Sequence, residues 1–328
     1  MAEPAKPLVE IRNLVLDAAT ERGEAHVLRG LDLDIGRGRI LGVVGESGSG
    51  KSTLASCLLR LLAGNVTRLT GEIRFDGTDL LQLGPAAMRD WRGRRIAMIF
   101  QDPMTALNPL FTVGSHLTDV VRRRYPKLSR RAALAKGEDM LTRVGIPDAH
   151  LRLAAYPHQL SGGMRQRVMI AMALIVEPDL LIADEPTTAL DATIEAQIVA
   201  LFDGLRRDFS GSILFISHHL GLVAELCDDL CVMYGGCIVE TGPVAAVLSR
   251  PRHPYTRALL DCEIVVDGEG RLASIPGDVP DPVAPLDACI FAPRCAHAAA
   301  ICLTGMPPLD PAGEGRRAAC FRSAEVMA

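Results

Sequence analysis

Gly45-Glu46-Ser47-Gly48-Ser49-Gly50-Lys51-Ser52-Thr53 is the stretch on which the fold turns. It fits G-x4-G-K-[ST] and follows the fully apolar run Ile40-Leu41-Gly42-Val43-Val44, with a helical pattern over residues 52–62 after it. Strand, glycine-rich turn and helix in that order open an α/β nucleotide-binding unit. The glycines let the backbone curl so that successive N–H groups point at phosphate oxygens. The helix N-terminus that follows adds positive potential. In this spacing Lys51 reaches the β- and γ-phosphates and Ser52 ligates Mg²⁺. The bland alternative is a fortuitous Gly/Ser-rich turn, and the strand before it and helix after it weigh against that. Cys57, on the helix, reads as core packing.

Working outward, Leu180-Leu181-Ile182-Ala183-Asp184-Glu185-Pro186 is an apolar strand that closes on two carboxylates. Alone, such a pair reads as a solvated loop. Beside a phosphate cradle it supplies what phosphoryl transfer needs, positioning and charge neutralisation: Asp184 for Mg²⁺ and Glu185 to polarise the attacking water. Residues 9–44 read as short strands with turns, and residues 71–77 as a strand ending in an Asp-Gly turn. Ile96 to Phe100 and Ile213 to Ser217 read as buried strands. Residues 112–144 read as charged helix, and Cys231 to Glu240 as a hairpin through Gly235-Gly236. After Arg250 proline and cysteine become dense and long periodic segments stop. The predicted division is therefore a nucleotide-binding domain over 1–250, with a helical subdomain over about 102–170, and an extension over 251–328.

Composition excludes several classes. Against 35 Lys and Arg stand 39 Asp and Glu, a net charge of −4 that argues against charge-driven duplex binding. Aromatics are 4% with Trp91 the single tryptophan, too few for a single-strand stacking platform, so no nucleic-acid partner is expected. The apolar run Val168 to Val176 is far short of a membrane span. The first residues have no apolar core for a secretion signal, which places the chain in the cytosol. Nine cysteines in that compartment are thiols or metal ligands.

Between cradle and carboxylates lies Leu160-Ser161-Gly162-Gly163-Met164-Arg165-Gln166-Arg167 ahead of an apolar helix. Ser161 as a helix cap is the structural reading. With this LSGG element the chain resembles the ATPase subunit of ABC transporters, over residues 8 to about 250. The resemblance implies an α/β P-loop ABC-type ATPase core with an antiparallel β subdomain and a helical subdomain, taking ATP and Mg²⁺. It implies that Gly45 to Thr53 bind ATP and that Gln101 senses the γ-phosphate and Mg²⁺, which Ser52, Gln101 and Asp184 hold. Glu185 and His218, in Ile216-Ser217-His218-His219, become the catalytic pair. Two such chains meet head to tail, so Ser161, Gly162, Gly163 and Gln166 face the ATP of the opposing subunit. Asp191, in Ala189-Leu190-Asp191, contacts that subunit. The sequence departs from the pattern at Met164, where many relatives carry glutamine, and near Ala18, where the family has an aromatic against the adenine. No Phe, Tyr or Trp precedes Phe75, which predicts loose discrimination between bases.

Residues 101–109, Arg252 to Leu260 and Ile275 to Pro280 resemble a narrower group, the ATPase subunits of dipeptide, oligopeptide and nickel importers. That resemblance implies a peripheral subunit on the cytoplasmic face of a bacterial inner membrane. Its partners would be a second, non-identical ATPase subunit, two permease subunits and a solute-binding protein. A nickel or glutathione importer, or a soluble ABC ATPase of translation or DNA repair, are the alternatives. Cys289, Cys295, Cys302 and Cys320 follow the pattern C-x5-C-x6-C-x17-C. Four soft thiolates select an iron–sulfur cluster or zinc. Zinc more often uses C-x2–4-C spacings, which favours a [4Fe–4S] cluster with zinc as the alternative and four ordinary thiols as the bland reading. The tail resembles the cysteine-bearing extension of peptide-importer ATPases, most of all at Cys289-Ile290-Phe291-Ala292-Pro293-Arg294-Cys295. His297 is a possible alternative ligand, and Cys227, Cys231, Cys237 and Cys262 read as core or surface thiols.

Overall fold

A computed structural model describes residues 6–102, 106–188, 191–264 and 274–326. The strands in chain order are β1 (Val9–Thr20), β2 (Gly23–Ile35), β3 (Ile40–Val44), β4 (Val66–Phe75), β5 (Thr78–Asp79) and β6 (Ile96–Ile99). They continue as β7 (Leu180–Asp184), β8 (Ser212–Ile216), β9 (Asp229–Tyr234), β10 (Cys237–Pro243), β11 (Asp310–Pro311) and β12 (Arg317–Ala318). The chain forms two compact units, Met1–Gln82 with Phe215–Ala328, and Leu83–Leu214.

The first unit holds an antiparallel sheet in the order β2-β1-β4-β5. Here the sequence misleads: residues 9–35 are not several short strands but a single long hairpin, β1 and β2, of 12 and 13 residues. The alternation of period two is broken because the register shifts between Ile11 and Leu14, where Asn13 takes φ 46°. Such a bulge moves side chains to the other face and hides a continuous strand from a reader of periodicity. β3 pairs in parallel with β9, Leu41 opposite Asp229 and Val44 opposite Val232. All five β3 residues are buried, as a strand covered on both faces requires. β9 turns through Gly235 and Gly236, φ 52° and 82°, into β10, a hairpin with the left-handed turn that its twist favours.

The described residues after Arg250 belong to this same unit. β12 adds to β10 with Glu240 opposite Ala318, and β11 adds to β12. A helix, Pro254–Ile264, stands where periodicity was expected to stop. Its Tyr255 packs with Tyr234 and Phe291, ring centroids 4.5 and 5.4 Å away, and His253 lies 5.8 Å from Phe291. Burial pushes the His253 imidazole down to about 3, so it is a neutral member of this aromatic cluster.

In the second unit β6 and β7 pair in parallel, Ile96 opposite Leu180 and Ile99 opposite Ala183. The charged stretch is two helices, Val113–Arg124 and Arg130–Arg143, each started by a hydroxyl cap: Thr112 accepts from the Ser115 N–H and Ser129 from the Ala132 N–H. The helix Gly162–Leu174 follows, then β7 and the helix Ala192–Asp208. Among the described residues no helix is long and apolar enough to cross a membrane.

Candidate nucleotide site

In the first unit the loop between β3 and the helix Lys51–Leu59 closes around its own lysine. Lys51 Nζ donates to the carbonyl oxygens of Gly45 at 2.7 Å and Glu46 at 2.9 Å and reaches Ser49 Oγ at 3.4 Å. Lys51 is buried, 6% exposed, with its ammonium held by the loop's own carbonyls. Two glycines are needed for that curl. Gly45 sits at φ 151°, and a Cβ there would lie 2.1 Å from the Met233 carbonyl oxygen. Gly50 sits at φ 98°, where a Cβ would lie 2.8 Å from Leu28. Ser52 is exposed and Thr53 half-buried on the first turn of the helix, whose N-terminus carries no acidic side chain. The Glu46 N–H does not point into the cradle; it donates to Tyr255 Oη at 2.9 Å. Ala18 is buried in β1, opposite Ala25, and no ring occupies its place. Past β8, His218 and His219 are exposed with their rings 4.1 Å apart, and the Ser217 hydroxyl accepts from the His219 N–H at 3.0 Å.

The second unit carries the carboxylates. Asp184 ends the fully buried strand β7 and is itself 5% exposed. Glu185 follows at φ 47°, a left-handed conformation costly for a residue with a Cβ. Its Oε2 accepts from Gln101 Nε2 at 2.8 Å and from Thr188 Oγ1 at 2.8 Å. So Gln101 and Glu185, 84 positions apart, are brought together, and Thr188 joins them although no motif pointed to it. Ser161 caps the helix Gly162–Leu174, accepting from the Met164 N–H at 3.3 Å, and Ser161 and Gly162 are exposed. Gly163 packs against the Ile194 side chain so closely that a Cβ would lie 2.8 Å from it. Gln166 is not on the exposed face of this element. It is 1% exposed and donates to the Pro186 carbonyl at 2.6 Å, tying the helix to the loop after Glu185. Asp191 is exposed and caps the helix Ala192–Asp208 through the Ile194 N–H at 2.9 Å. Pro103 to Thr105, and Ala189 with Leu190, lie outside the described residues.

Cys289, Cys295, Cys302 and Cys320 all border one small cavity of the first unit, together with His253, His297 and Phe291. The Cys289 N–H donates to the Cys302 carbonyl at 2.8 Å, which pins two of the bearing segments together. Burial, first of all, pushes the thiols of Cys289, Cys295 and Cys320 up from their ordinary range. Among the described residues no group of three or more His, Cys, Asp or Glu side chains is already arrayed to hold a metal ion. The donors are of the type a soft metal takes, and they border one cavity without forming a ligand array among the described residues. Cys57, Cys227, Cys231 and Cys237 are buried thiols elsewhere.

A lysine caged in a glycine loop, a carboxylate pair at a strand end and a serine-capped glycine pair define a class, the ATP-binding cassette. The chain belongs to the ATP-binding subunits of ABC transporters and is an ATP hydrolase. The family described as ABC transporter matches residues 28–188, and that described as oligopeptide/dipeptide transporter, C-terminal region, matches residues 239–302. The chain is 47% identical to the "Probable peptide ABC transporter ATP-binding protein y4tR" of Sinorhizobium fredii, covering 98% of this chain and 96% of that one. It is 44% identical to the oligopeptide transport ATP-binding protein OppD of Salmonella typhimurium, over 99% and 96%. Among solved structures it is similar to the dimeric ATP-binding cassette MJ0796 bound to ADP and Pi, with a TM-score of 0.65 and 24% identity, covering 72% of this chain and 98% of that one.

Proposed function

We propose that this chain is the ATPase subunit of a bacterial importer of dipeptides or oligopeptides. The observation that carries this reading is the end-to-end likeness to an oligopeptide transport subunit, at 44% identity over 99% of the chain, the cysteine-bearing extension included. In this reading the Gly45–Thr53 loop, through those of its N–H groups that the fold leaves for it and not the Glu46 N–H, which Tyr255 takes, holds the triphosphate together with the Lys51 ammonium. Ser52, Gln101 and Asp184 would hold Mg²⁺, which when bound would supply neutralising charge for the phosphates. Glu185, steadied by Gln101 and Thr188, orients and deprotonates water, and His218 donates a hydrogen bond to the γ-phosphate. Ser161 and Gly162 close over the ATP of a second ATPase subunit, a non-identical paralogue, with Gly163 letting their helix pack tightly and Asp191 at the dimer contact.

Two permease subunits and a solute-binding protein complete the assembly, which sets this chain at the cytoplasmic face of the inner membrane. An exposed apolar set in the second unit, Leu110, Phe111, Leu151 and Tyr156, supports the helical subdomain, about 102–170, as the permease-facing part. The extension over 251–328 is read as holding a [4Fe–4S] cluster on Cys289, Cys295, Cys302 and Cys320, zinc being the alternative metal. When bound, such a centre supplies a rigid cross-link of the segment. The four cysteines must lose their protons to take it up, so loading falls as pH falls. ATP binding better to one permease arrangement than to the other is the source of work. The test is uptake into proteoliposomes holding the assembled transporter and its binding protein. ATP-dependent uptake of labelled peptide supports the reading; uptake of nickel or glutathione alone contradicts it.

A further inference from the structure

Glu46 lies inside the phosphate loop, and its carboxylate is gripped from the far end of the chain. Arg294 Nη1 donates to Glu46 Oε2 at 2.7 Å and Nη2 to Oε1 at 3.0 Å, a parallel two-bond pair. The Arg294 side chain is 3% exposed and that of Glu46 28%. The rest of the guanidinium is also engaged: Nη1 with Tyr234 Oη at 3.2 Å, Nη2 with the Ile275 carbonyl at 2.9 Å and Nε with the Pro276 carbonyl at 2.9 Å. The hydrogen bond to Glu46, first of all, holds the Arg294 guanidinium still further above its ordinary range.

The backbone of Glu46 continues the chain of contacts inward. Its N–H is taken by the hydroxyl of the fully buried Tyr255, and its carbonyl accepts from Lys51 Nζ at 2.9 Å and from the Ser49 N–H at 3.2 Å. One residue thus joins the buried Arg294 to the cradle lysine. A loop with glycines at φ 151°, 78° and 98° has little stiffness of its own, so its shape depends on what holds it. Arg294 ends the short helical turn Ala292–Arg294, immediately before Cys295.

We propose that Arg294 is a positioning residue of the nucleotide site: by clamping Glu46 it holds the phosphate loop, and through the Glu46 carbonyl the Lys51 ammonium, in the form that receives a triphosphate. This rests on the reading of Gly45–Ser52 as the triphosphate cradle. The cysteine-bearing segment is thereby part of the ATP machinery, because it carries the clamp.

The test measures binding of a non-hydrolysable ATP analogue to the purified full chain, with thermal melting recorded on each sample. Arg294→Ala weakens binding roughly tenfold, about 1.4 kcal/mol, and Arg294→Lys restores part of it because a single donor replaces a fork. Glu46→Gln weakens binding similarly, and the double variant is no worse than Arg294→Ala alone, since the two residues act as one unit. In the assembled transporter KM rises while kcat stays near the wild-type value. If Arg294→Ala does not fold, Arg294→Lys and Glu46→Gln carry the test, and both must weaken nucleotide binding. Unchanged binding in the folded clamp variants, with only the melting temperature lowered, overturns the proposal, as does strict additivity in the double variant. Lys51→Ala is the reference: loss of binding there with intact binding in the clamp variants sinks the clamp and leaves the cradle standing. Absence of binding in the wild-type chain contradicts the cradle itself.

Discussion

Glu185 is held in a left-handed backbone conformation with two hydrogen-bond donors on one carboxylate oxygen. Of these donors Gln101 was legible from its place in a motif and Thr188 was not, because a lone threonine three residues past the carboxylate has no pattern to mark it. A hydrogen bond to a charged group contributes about 1.5–3 kcal/mol. Thr188→Ala is therefore expected to lower kcat on the order of tenfold with KM unchanged, and Thr188→Ser to keep the rate. Steady-state kinetics of the two variants check this. In the first unit β1 carries Ala18, paired with Ala25, where a ring was sought. Affinity then comes mostly from the phosphates, which GTP offers equally. Competition binding is expected to show ATP and GTP within about tenfold of each other, a difference of about 1.4 kcal/mol; a strong ATP preference would show that another group holds the adenine.

At the scale of elements, the cradle was readable because three signals agree on it: a buried apolar strand, glycines and a helix. β7 was readable for the same reason, as five buried residues in a row leave no other period to fit. β1 and β2 were cut too short because a bulge at Asn13 breaks the alternation. The helix Pro254–Ile264 escaped because it is short and starts on a proline directly after the expected boundary. Gln166 was grouped with its motif neighbours, but on a helix it falls on the inward side and bonds Pro186. The Arg294–Glu46 pair, 248 residues apart, has no local signature at all. The glycine loop itself makes a graded prediction. Gly45→Ala places a Cβ against the Met233 carbonyl and is expected to abolish ATP binding and lower the melting temperature. Gly48→Ala meets no atom within 4 Å and suffers only its φ of 78°, about 1–2 kcal/mol, so it binds ATP more weakly but still binds. Equal behaviour of the two variants would mean that loop shape is not set by these contacts.

For the whole molecule, the C-terminal segment is not an appendix to the first unit but part of its sheet and aromatic core, through β12, Tyr255 and Phe291. Anaerobically purified chain is expected to hold iron and acid-labile sulfide, and Cys295→Ser to lose them; colourless wild-type protein free of both contradicts the cluster. The role of Glu185 as the base of ATP hydrolysis is tested by ATP turnover of Glu185→Gln in the assembled transporter. ATP binding is expected to be retained and turnover to fall by about 10²–10⁴. Full steady-state turnover in that variant would contradict it.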